Sequence, residues 1–168
     1  SNIYTKEEDI LLEGPFGSSF YKALADDMDS MVASGTIEAW KPIAYDWRYG
    51  YDHLLSGGLN VDGKIYYDVP TSFPYILEEF YALASSSRTG KVTIVAHSNG
   101  GLLAKALVQN LKERGHADLV DDLILVASPQ LGTPQALGVL LHGYDASPLR
   151  YYVGKSTQRK LAQDMPMT

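Results

Sequence analysis

A serine lies at the junction of an apolar run and a leucine-rich run in KVTIVAHSNGGLLAKAL, residues 91–107. The local pattern is small–x–Ser–x–Gly, with Ala96 in the first small position, Ser98 in the centre and Gly100 in the last. This pattern is typical of a nucleophile elbow, a tight turn that joins a strand to a helix and holds the serine hydroxyl clear of the sheet. The sequence therefore predicts that Ser98 attacks a carbonyl carbon.

The helix that follows this turn is expected to stabilise the negative charge that such an attack creates. A helix N-terminus carries unpaired N–H groups and partial positive charge, so the backbone N–H of Asn99 is the predicted oxyanion donor. His97 is predicted to pack or to line the pocket, because the residue beside the nucleophile points away from the hydroxyl. The alternative is that Ser98 serves only as a helix cap.

The elements that must hold Ser98 alternate between strand and helix patterns along the chain. The patterns predict strands at 9–12, 41–47, 92–96 and 119–127, and helices at about 18–32, 72–85 and 99–114. Short apolar strands between helices predict an α/β fold whose mostly parallel sheet is covered by helices on both faces. Residues 1–168 are expected to form a single domain, with a long excursion at about 49–71 that contains a hairpin around Asp62 and Gly63.

Two of these helices are expected to bury an apolar stripe. In the first, which begins at a Ser18 or Ser19 cap and stops at Gly35, the apolar residues are three and four apart: Phe20, Leu24, Met28, Met31 and Val32. In the third, which stops at Gly115, the stripe consists of Leu103, Leu107 and Leu111. Gly101 is expected to allow close packing of this third helix on a strand.

Composition limits the classes of function. A net charge of −6 without any basic run argues against nucleic-acid binding. The absence of cysteine excludes disulfides and thiolate metal sites. No apolar run approaches the length of a membrane span, and localisation in the cytoplasm or outside the cell stays open.

Three segments in series resemble one protein family. PIAYDWR (42–48), VAHSNGG (95–101) and ASPQLGTPQA (127–136) resemble the lecithin:cholesterol acyltransferase-like lipases and esterases of the α/β-hydrolase superfamily. With GPFGSSF and LAQDMP, the resemblance runs from about residue 10 to residue 166. It implies a serine hydrolase or acyltransferase that acts on lipid or other carboxylic esters without a metal or cofactor.

The resemblance also assigns roles to particular positions. It aligns Ser98 with the nucleophile and the N–H of Asn99 with the oxyanion hole, and it aligns Ser128 and Pro129 with a segment that borders the acyl pocket. The segment at 132–134 belongs to the same border.

The segment Tyr45–Arg48 aligns with residues that line the carboxyl edge of the sheet. Its charged pair, Asp46 and Arg48, is two residues apart at a predicted strand end, so the residue types predict a structural ion pair or a turn cap.

The acid and base of a catalytic triad cannot be identified after Ser98. The candidates lie at the wrong end of the sheet or beyond the next strand: His116, His142, Asp121, Asp122 and Asp145. In the family that the chain resembles, the acid and the histidine follow further strands. We therefore expect a fragment, or a chain that associates with a separate segment or with another copy of itself, and weak or absent hydrolysis.

Other functions stay open at this point. A non-catalytic module could keep the pocket for a lipid or acyl group without a full triad. Phosphate binding at the helix start, residues 99–101, is disfavoured because neither a P-loop lysine pattern nor a Rossmann glycine pattern is present. The expected partner is a small-molecule or lipid ester, and transient contact with a membrane or lipid surface is left open.

Overall fold

The computed structural model of the protein describes residues 5–6, 21–143 and 154–164. The strands are β1 (Thr5–Lys6), β2 (Gly57–Val61), β3 (Lys64–Pro70), β4 (Val92–His97) and β5 (Val120–Val126). The helices are α1 (Lys22–Ala33), α2 (Tyr51–Ser56), α3 (Tyr75–Ser86), α4 (Gly100–Glu113), α5 (Pro134–His142) and α6 (Lys155–Gln163). A 3₁₀ turn at Ala117–Leu119 precedes β5.

The described strands form two separate sheets. β4 and β5 pair in parallel, with Ile94 opposite Leu123 and His97 opposite Val126. The other sheet is antiparallel, in the order β1–β3–β2. α4 makes the parallel crossover from β4 to β5, so both strands end at the same edge of their sheet.

A buried cluster joins the two sheets. Its members come from α2, β3, α3 and α4: Leu54, Leu55, Ile65, Tyr67, Tyr75, Ile76, Leu77, Phe80, Leu103, Leu107 and Leu111. Val92 and Ile94 of β4 pack against this cluster from one face of the parallel pair. The α4 stripe that the sequence predicts is therefore confirmed, and it anchors the helix that begins beside Ser98.

The opposite face of the parallel pair is open. Val95 of β4 and Ile124 and Val126 of β5 share this face, and each is about half exposed. Helices therefore cover only one face in the described part of the chain. The described residues are mixed α/β, and they contain one parallel strand pair of the larger sheet that we expected.

The predicted burial of α1 is wrong. No residue of this helix is buried, and Leu24, Met31 and Val32 are all exposed. The helix forms as the spacing of its apolar residues predicts, but in the described residues no neighbouring element covers its apolar side. The stop at Gly35 is confirmed by its positive φ of 72°.

The predicted strand at 41–47 is also wrong. Residues 41–46 have no regular structure, and a turn follows at 47–48. The carbonyl of Ala44 accepts a hydrogen bond from the buried Tyr67 hydroxyl at 3.1 Å. This segment is held by a side chain of β3 instead of by a neighbouring strand.

The excursion at 49–71 contains the predicted hairpin. β2 and β3 are joined at Asp62 and Gly63, whose φ angles are 51° and 75°. Two successive residues with positive φ are typical of a type I′ turn, which matches the twist of the paired strands. The sequence did not predict α2, which lies in the same excursion.

Several predictions fall on residues outside the described ranges. They are the strand at 9–12, the caps at Ser18 and Ser19, the stripe member Phe20, and Asp145.

The difference between the two amphipathic helices can be measured by matched truncations. Leu111 of α4 is 0% exposed and Leu24 of α1 is 48% exposed. We expect Leu111→Ala to lower the free energy of unfolding by about 2–5 kcal/mol and Leu24→Ala to change it by less than about 0.5 kcal/mol. Urea unfolding measures both changes, and a loss of several kcal/mol in Leu24→Ala would contradict the exposed position of α1.

Candidate active site

The turn at Ser98 has the predicted strand–turn–helix geometry. β4 ends at His97, Ser98 has a φ of 51°, and α4 begins at Gly100 after the cap residue Asn99. A side chain other than glycine in this left-handed region costs about 1–2 kcal/mol. The exposed Ser98 is thereby turned out at the carboxyl end of β4. The geometry is confirmed, and the role of Ser98 as a nucleophile stays a prediction.

Main-chain hydrogen bonds hold this turn against β5. The N–H of Ser98 donates to the carbonyl of Val126 at 2.9 Å, and the N–H of Gly101 donates to the carbonyl of Ser98 at 3.0 Å. Ala127, the first residue after β5, also has a positive φ, 49°. The chain therefore bends sharply at two adjacent points on the same edge of the sheet.

Gly101 is the glycine that permits close packing at this edge. A Cβ added to Gly101 would lie 1.9 Å from Ser128 Oγ and 2.5 Å from Ser128 Cβ. A Cβ added to Gly100 would meet only the Tyr45 hydroxyl, at 3.9 Å, which is an ordinary contact. In the elbow pattern the last glycine, here Gly100, is the residue expected to have no room for a side chain. In this structure the residue without such room is the next one, Gly101.

Ser128 and Pro129 come one residue after the end of β5, at the same edge of the sheet as the elbow. Ser128 Oγ is buried and makes no hydrogen bond to any part of the protein that the structure describes. Pro129 is half-buried. Their assignment to an acyl pocket stays a prediction, but their position next to α4 agrees with it.

Two tyrosines hold the side chain of Asn99. The hydroxyl of Tyr51 donates to Asn99 Oδ1 at 2.9 Å, and Asn99 Nδ2 donates to the hydroxyl of Tyr45 at 3.5 Å. Burial raises the pKa of Tyr45, with a further contribution from nearby Tyr51, and burial also raises the pKa of Tyr51. Both phenols are therefore neutral near pH 7, and they fix the residue whose backbone N–H is the predicted oxyanion donor.

The side chain of His97 contacts Tyr21 and not Ser98. Its Nδ1 is hydrogen bonded to the hydroxyl of Tyr21 at 2.8 Å, and the two rings meet edge to face. The side chain belongs to the open face of the parallel pair, where its register partner is Val126. This arrangement agrees with the packing role that the sequence suggests.

Asp46 and Arg48 form the predicted structural pair. Arg48 Nε donates to Asp46 Oδ1 at 2.8 Å, and the backbone N–H of Arg48 donates to the same oxygen at 3.1 Å. The side-chain hydrogen bond from Arg48 lowers the pKa of the Asp46 carboxyl against the opposing effect of burial. The pair closes the turn that follows Tyr45.

The candidates for a catalytic base are not brought to the nucleophile. No hydrogen bond joins Ser98 Oγ to a histidine in the described ranges, which contain all four histidines of the chain. His116 lies beyond the far end of α4 and is bonded to the Tyr81 hydroxyl at 2.8 Å, and His142 is the exposed last residue of α5. Asp121 pairs with Lys91 at 3.7 Å, and Asp122 is exposed at the same end of β5.

Two residues that make hydrogen bonds at the elbow were not predicted from the sequence. Tyr51 and Tyr21 reach the elbow from distant segments, and their only signal was the high tyrosine content of the chain, twelve residues. Phenols suit half-buried walls with one polar tip, but the sequence did not indicate which of them would converge.

Neither a metal site nor a membrane span is found among the residues that the structure describes. They contain no group of three or more potential carboxylate or imidazole ligands arranged around one point. No helix in these ranges combines the length and the apolar character needed to cross a bilayer.

Comparison with known proteins identifies the family of the chain. A family model described as Lecithin:cholesterol acyltransferase matches residues 14–163. This confirms the resemblance found in the three sequence segments. No curated protein and no solved structure matched the chain.

The contact between Gly101 and Ser128 leads to a matched pair of substitutions. We expect Gly101→Ala to lower the free energy of unfolding by about 1–3 kcal/mol, because the new methyl group must displace Ser128. Gly100→Ala should leave it unchanged or raise it by up to about 1 kcal/mol through the lower chain entropy of alanine. Urea unfolding of both variants tests the difference, and equal losses would contradict the close approach at Gly101.

The Asp46–Arg48 pair predicts a defined pH dependence. Arg48→Met removes the partner of a buried carboxylate and should cost about 1–3 kcal/mol at pH 7. The folded pKa of Asp46 is lowered, so the pair's contribution is present above the unfolded pKa of about 3.9 and is lost as pH falls through the folded pKa. The difference between wild type and variant should therefore shrink in acid.

Urea unfolding between neutral and acid pH measures this dependence. Arg88→Met is the control, since Arg88 pairs with Glu38 at an exposed position and should contribute less than about 0.5 kcal/mol. A difference for Arg48→Met that does not vary with pH would rule out the ion pair as its origin.

Proposed function

The chain belongs to the lecithin:cholesterol acyltransferase family, and from this premise we propose that it carries the nucleophilic serine of a lipid esterase or acyltransferase. The family membership supports an activity on lipid esters. The assignment of the chemistry to Ser98 is our own inference from the geometry of the elbow.

The observation that supports this proposal best is the backbone at Ser98. An exposed serine with a φ of 51° stands between a parallel strand and the N-terminus of a fourteen-residue helix. A serine that only capped the helix would occupy the cap position, which Asn99 occupies instead. Strain of this kind persists when surrounding structure enforces it, and it is common at catalytic residues.

The reaction follows the usual order of acyl transfer. Ser98 Oγ bonds to the ester carbonyl carbon and gives its proton to a base, while the N–H of Asn99 donates to the oxyanion that forms. The ester C–O bond then breaks, and the alcohol leaves with a proton. Water or a second alcohol takes the acyl group from Ser98, and this choice separates a hydrolase from an acyltransferase.

The base is the part of this mechanism that the described residues do not supply. No histidine is hydrogen bonded to Ser98 Oγ in the described ranges. Loss of a triad member lowers the rate by several orders of magnitude, although the oxyanion hole and binding retain some catalysis. The 168-residue chain is therefore expected to react slowly at Ser98.

A second candidate function rests on this same lack of a base. The chain would be a module that holds a lipid or acyl group in a hydrolase-like pocket without cleaving it. The two functions differ in whether Ser98 is required: binding of a fluorescent fatty acid would survive Ser98→Ala, whereas turnover of an ester would not.

A fluorophosphonate probe with added imidazole tests the proposed nucleophile. We expect slow labelling of the wild-type chain, because Ser98 has no positioned base, and faster labelling when imidazole in solution accepts the proton. Ser98→Ala should abolish the labelling, and Ser85→Ala, which removes an exposed serine of α3, should not. Mass spectrometry of the labelled peptide measures the extent and the position.

Each departure from this result has a distinct meaning. Labelling that persists in Ser98→Ala would remove Ser98 as the nucleophile, and equal turnover of p-nitrophenyl esters by both proteins would do the same. Rapid stoichiometric labelling without imidazole would show that the chain does contain a working base. A lack of labelling even with imidazole would favour the acyl-binding module.

A further inference from the structure

Asn99 is followed directly by Gly100, and this order of residues favours a spontaneous reaction of the asparagine side chain. In that reaction the backbone nitrogen of the next residue attacks the side-chain amide carbon and closes a five-membered succinimide ring. Glycine has no side chain that hinders the attack. The other asparagines, at positions 2, 60 and 110, precede Ile3, Val61 and Leu111, whose side chains do hinder it. Asn99 is therefore the asparagine whose neighbour opposes ring closure least.

The backbone around Asn99 leaves the attacking nitrogen available. Gly100 is the first residue of α4, where helical N–H groups lack a partner within the helix. In the described ranges, the N–H of Gly100 donates to no main-chain carbonyl. The preceding residue, Ser98, is exposed, so water has access to this turn.

Two phenols hold the Asn99 side chain in the opposite sense. Tyr51 of α2 donates to Asn99 Oδ1 at 2.9 Å, and Asn99 Nδ2 donates to the hydroxyl of Tyr45 at 3.5 Å. The backbone of Asn99 is helical, with φ −57° and ψ −30°. A succinimide ring fixes ψ outside the helical region, so its closure requires the amide to leave both phenols and the start of α4 to open.

We propose that Asn99 is a deamidation site that the hydrogen bonds with Tyr51 and Tyr45 protect in the folded chain. The Gly100 nitrogen loses its proton and bonds to Asn99 Cγ, the Cγ–Nδ2 bond breaks, and ammonia leaves with that proton. Water then opens the ring at either carbonyl carbon and leaves aspartate or isoaspartate at position 99. Water is the only co-reactant, and no oxidant or reductant takes part.

The strength of the phenol contacts sets the size of the protection. The reaction starts from the state in which the amide is released, so its rate follows the population of that state. Loss of one ordinary hydrogen bond raises such a population about two- to ten-fold. The contact with Tyr45, at 3.5 Å, is longer than an ordinary hydrogen bond and is expected to contribute less than the contact with Tyr51.

Incubation of the full chain in warm, mildly alkaline buffer tests the proposal. Digestion and mass spectrometry measure the mass increase from amide to acid at Asn99, and isoaspartate is recognised by its separate elution. We expect the folded wild type to react at least about ten-fold more slowly than the same chain unfolded in urea. Tyr51→Phe should accelerate the reaction about two- to ten-fold, and Tyr45→Phe should accelerate it less. Gly100→Ala should nearly abolish it, because the new methyl group hinders ring closure.

Two controls separate local protection from general stability. Tyr81→Phe removes a phenol hydroxyl at the far end of α4, where it is hydrogen bonded to His116 at 2.8 Å, and should leave the rate at Asn99 unchanged. Asp62 precedes Gly63 in the exposed hairpin turn and can close the same ring by losing water. Isoaspartate at Asp62 is therefore an internal reference that Tyr51→Phe should not change. Circular dichroism checks that each variant folds.

The consequence of deamidation for the elbow rests on the proposed function. Asn99→Asp reproduces one product: its carboxylate has no N–H for Tyr45, and it places a negative charge beside the predicted oxyanion donor. We expect fluorophosphonate labelling of Ser98 in imidazole to fall at least about ten-fold. The variant should remain folded, because aspartate is a favourable residue at a helix N-cap. Equal labelling of both proteins would contradict this consequence.

Ring closure is measured without the probe, so its outcome is independent of the nucleophile. Absence of labelling at Ser98 would overturn the proposed function and leave the deamidation site intact. Three results would overturn the deamidation site itself. They are equal rates at Asn99 in the wild type and Tyr51→Phe, an equal acceleration by Tyr81→Phe, and a folded chain that reacts as fast as the unfolded one.

Discussion

Ser98 keeps a left-handed backbone because the residues around it leave little alternative. Its N–H is hydrogen bonded to Val126 on β5, and its carbonyl accepts the N–H of Gly101 in the first turn of α4. The buried leucines of α4 hold that helix against the core, so the turn cannot relax without unpacking it. The strain at one residue is therefore balanced by ordinary packing several residues away.

Polar contacts complete the arrangement around this turn. Tyr45 and Tyr51 come from different segments and meet at Asn99, while the ion pair between Asp46 and Arg48 closes the turn that follows Tyr45. The described residues thus contain an exposed serine next to Asn99, whose side chain is held in place and whose backbone N–H is the predicted oxyanion donor.

The comparison of α1 with α4 shows that a pattern of apolar residues predicts a helix but does not predict whether that helix is buried. Both helices have apolar residues three and four apart, and both formed within one or two residues of the expected bounds at their C-terminal ends. Only α4 is buried, because β4 and β5 present an apolar face to it, whereas α1 has no such neighbour among the described residues. Likewise, the segment at 41–46 has strand-like residues but no strand beside it to supply a ladder of hydrogen bonds.

The sequence by itself determined the features that depend on neighbours along the chain: the elbow at Ser98, the hairpin turn at Asp62 and Gly63, and the membership of the family through its three segments. Tertiary structure decided which glycine lies against Ser128 and which tyrosines reach Asn99. It also decided which apolar stripe is buried. Backbone turns follow from local steric limits, but burial and hydrogen-bond partners depend on surfaces that distant segments bring together, and no local pattern contains that information.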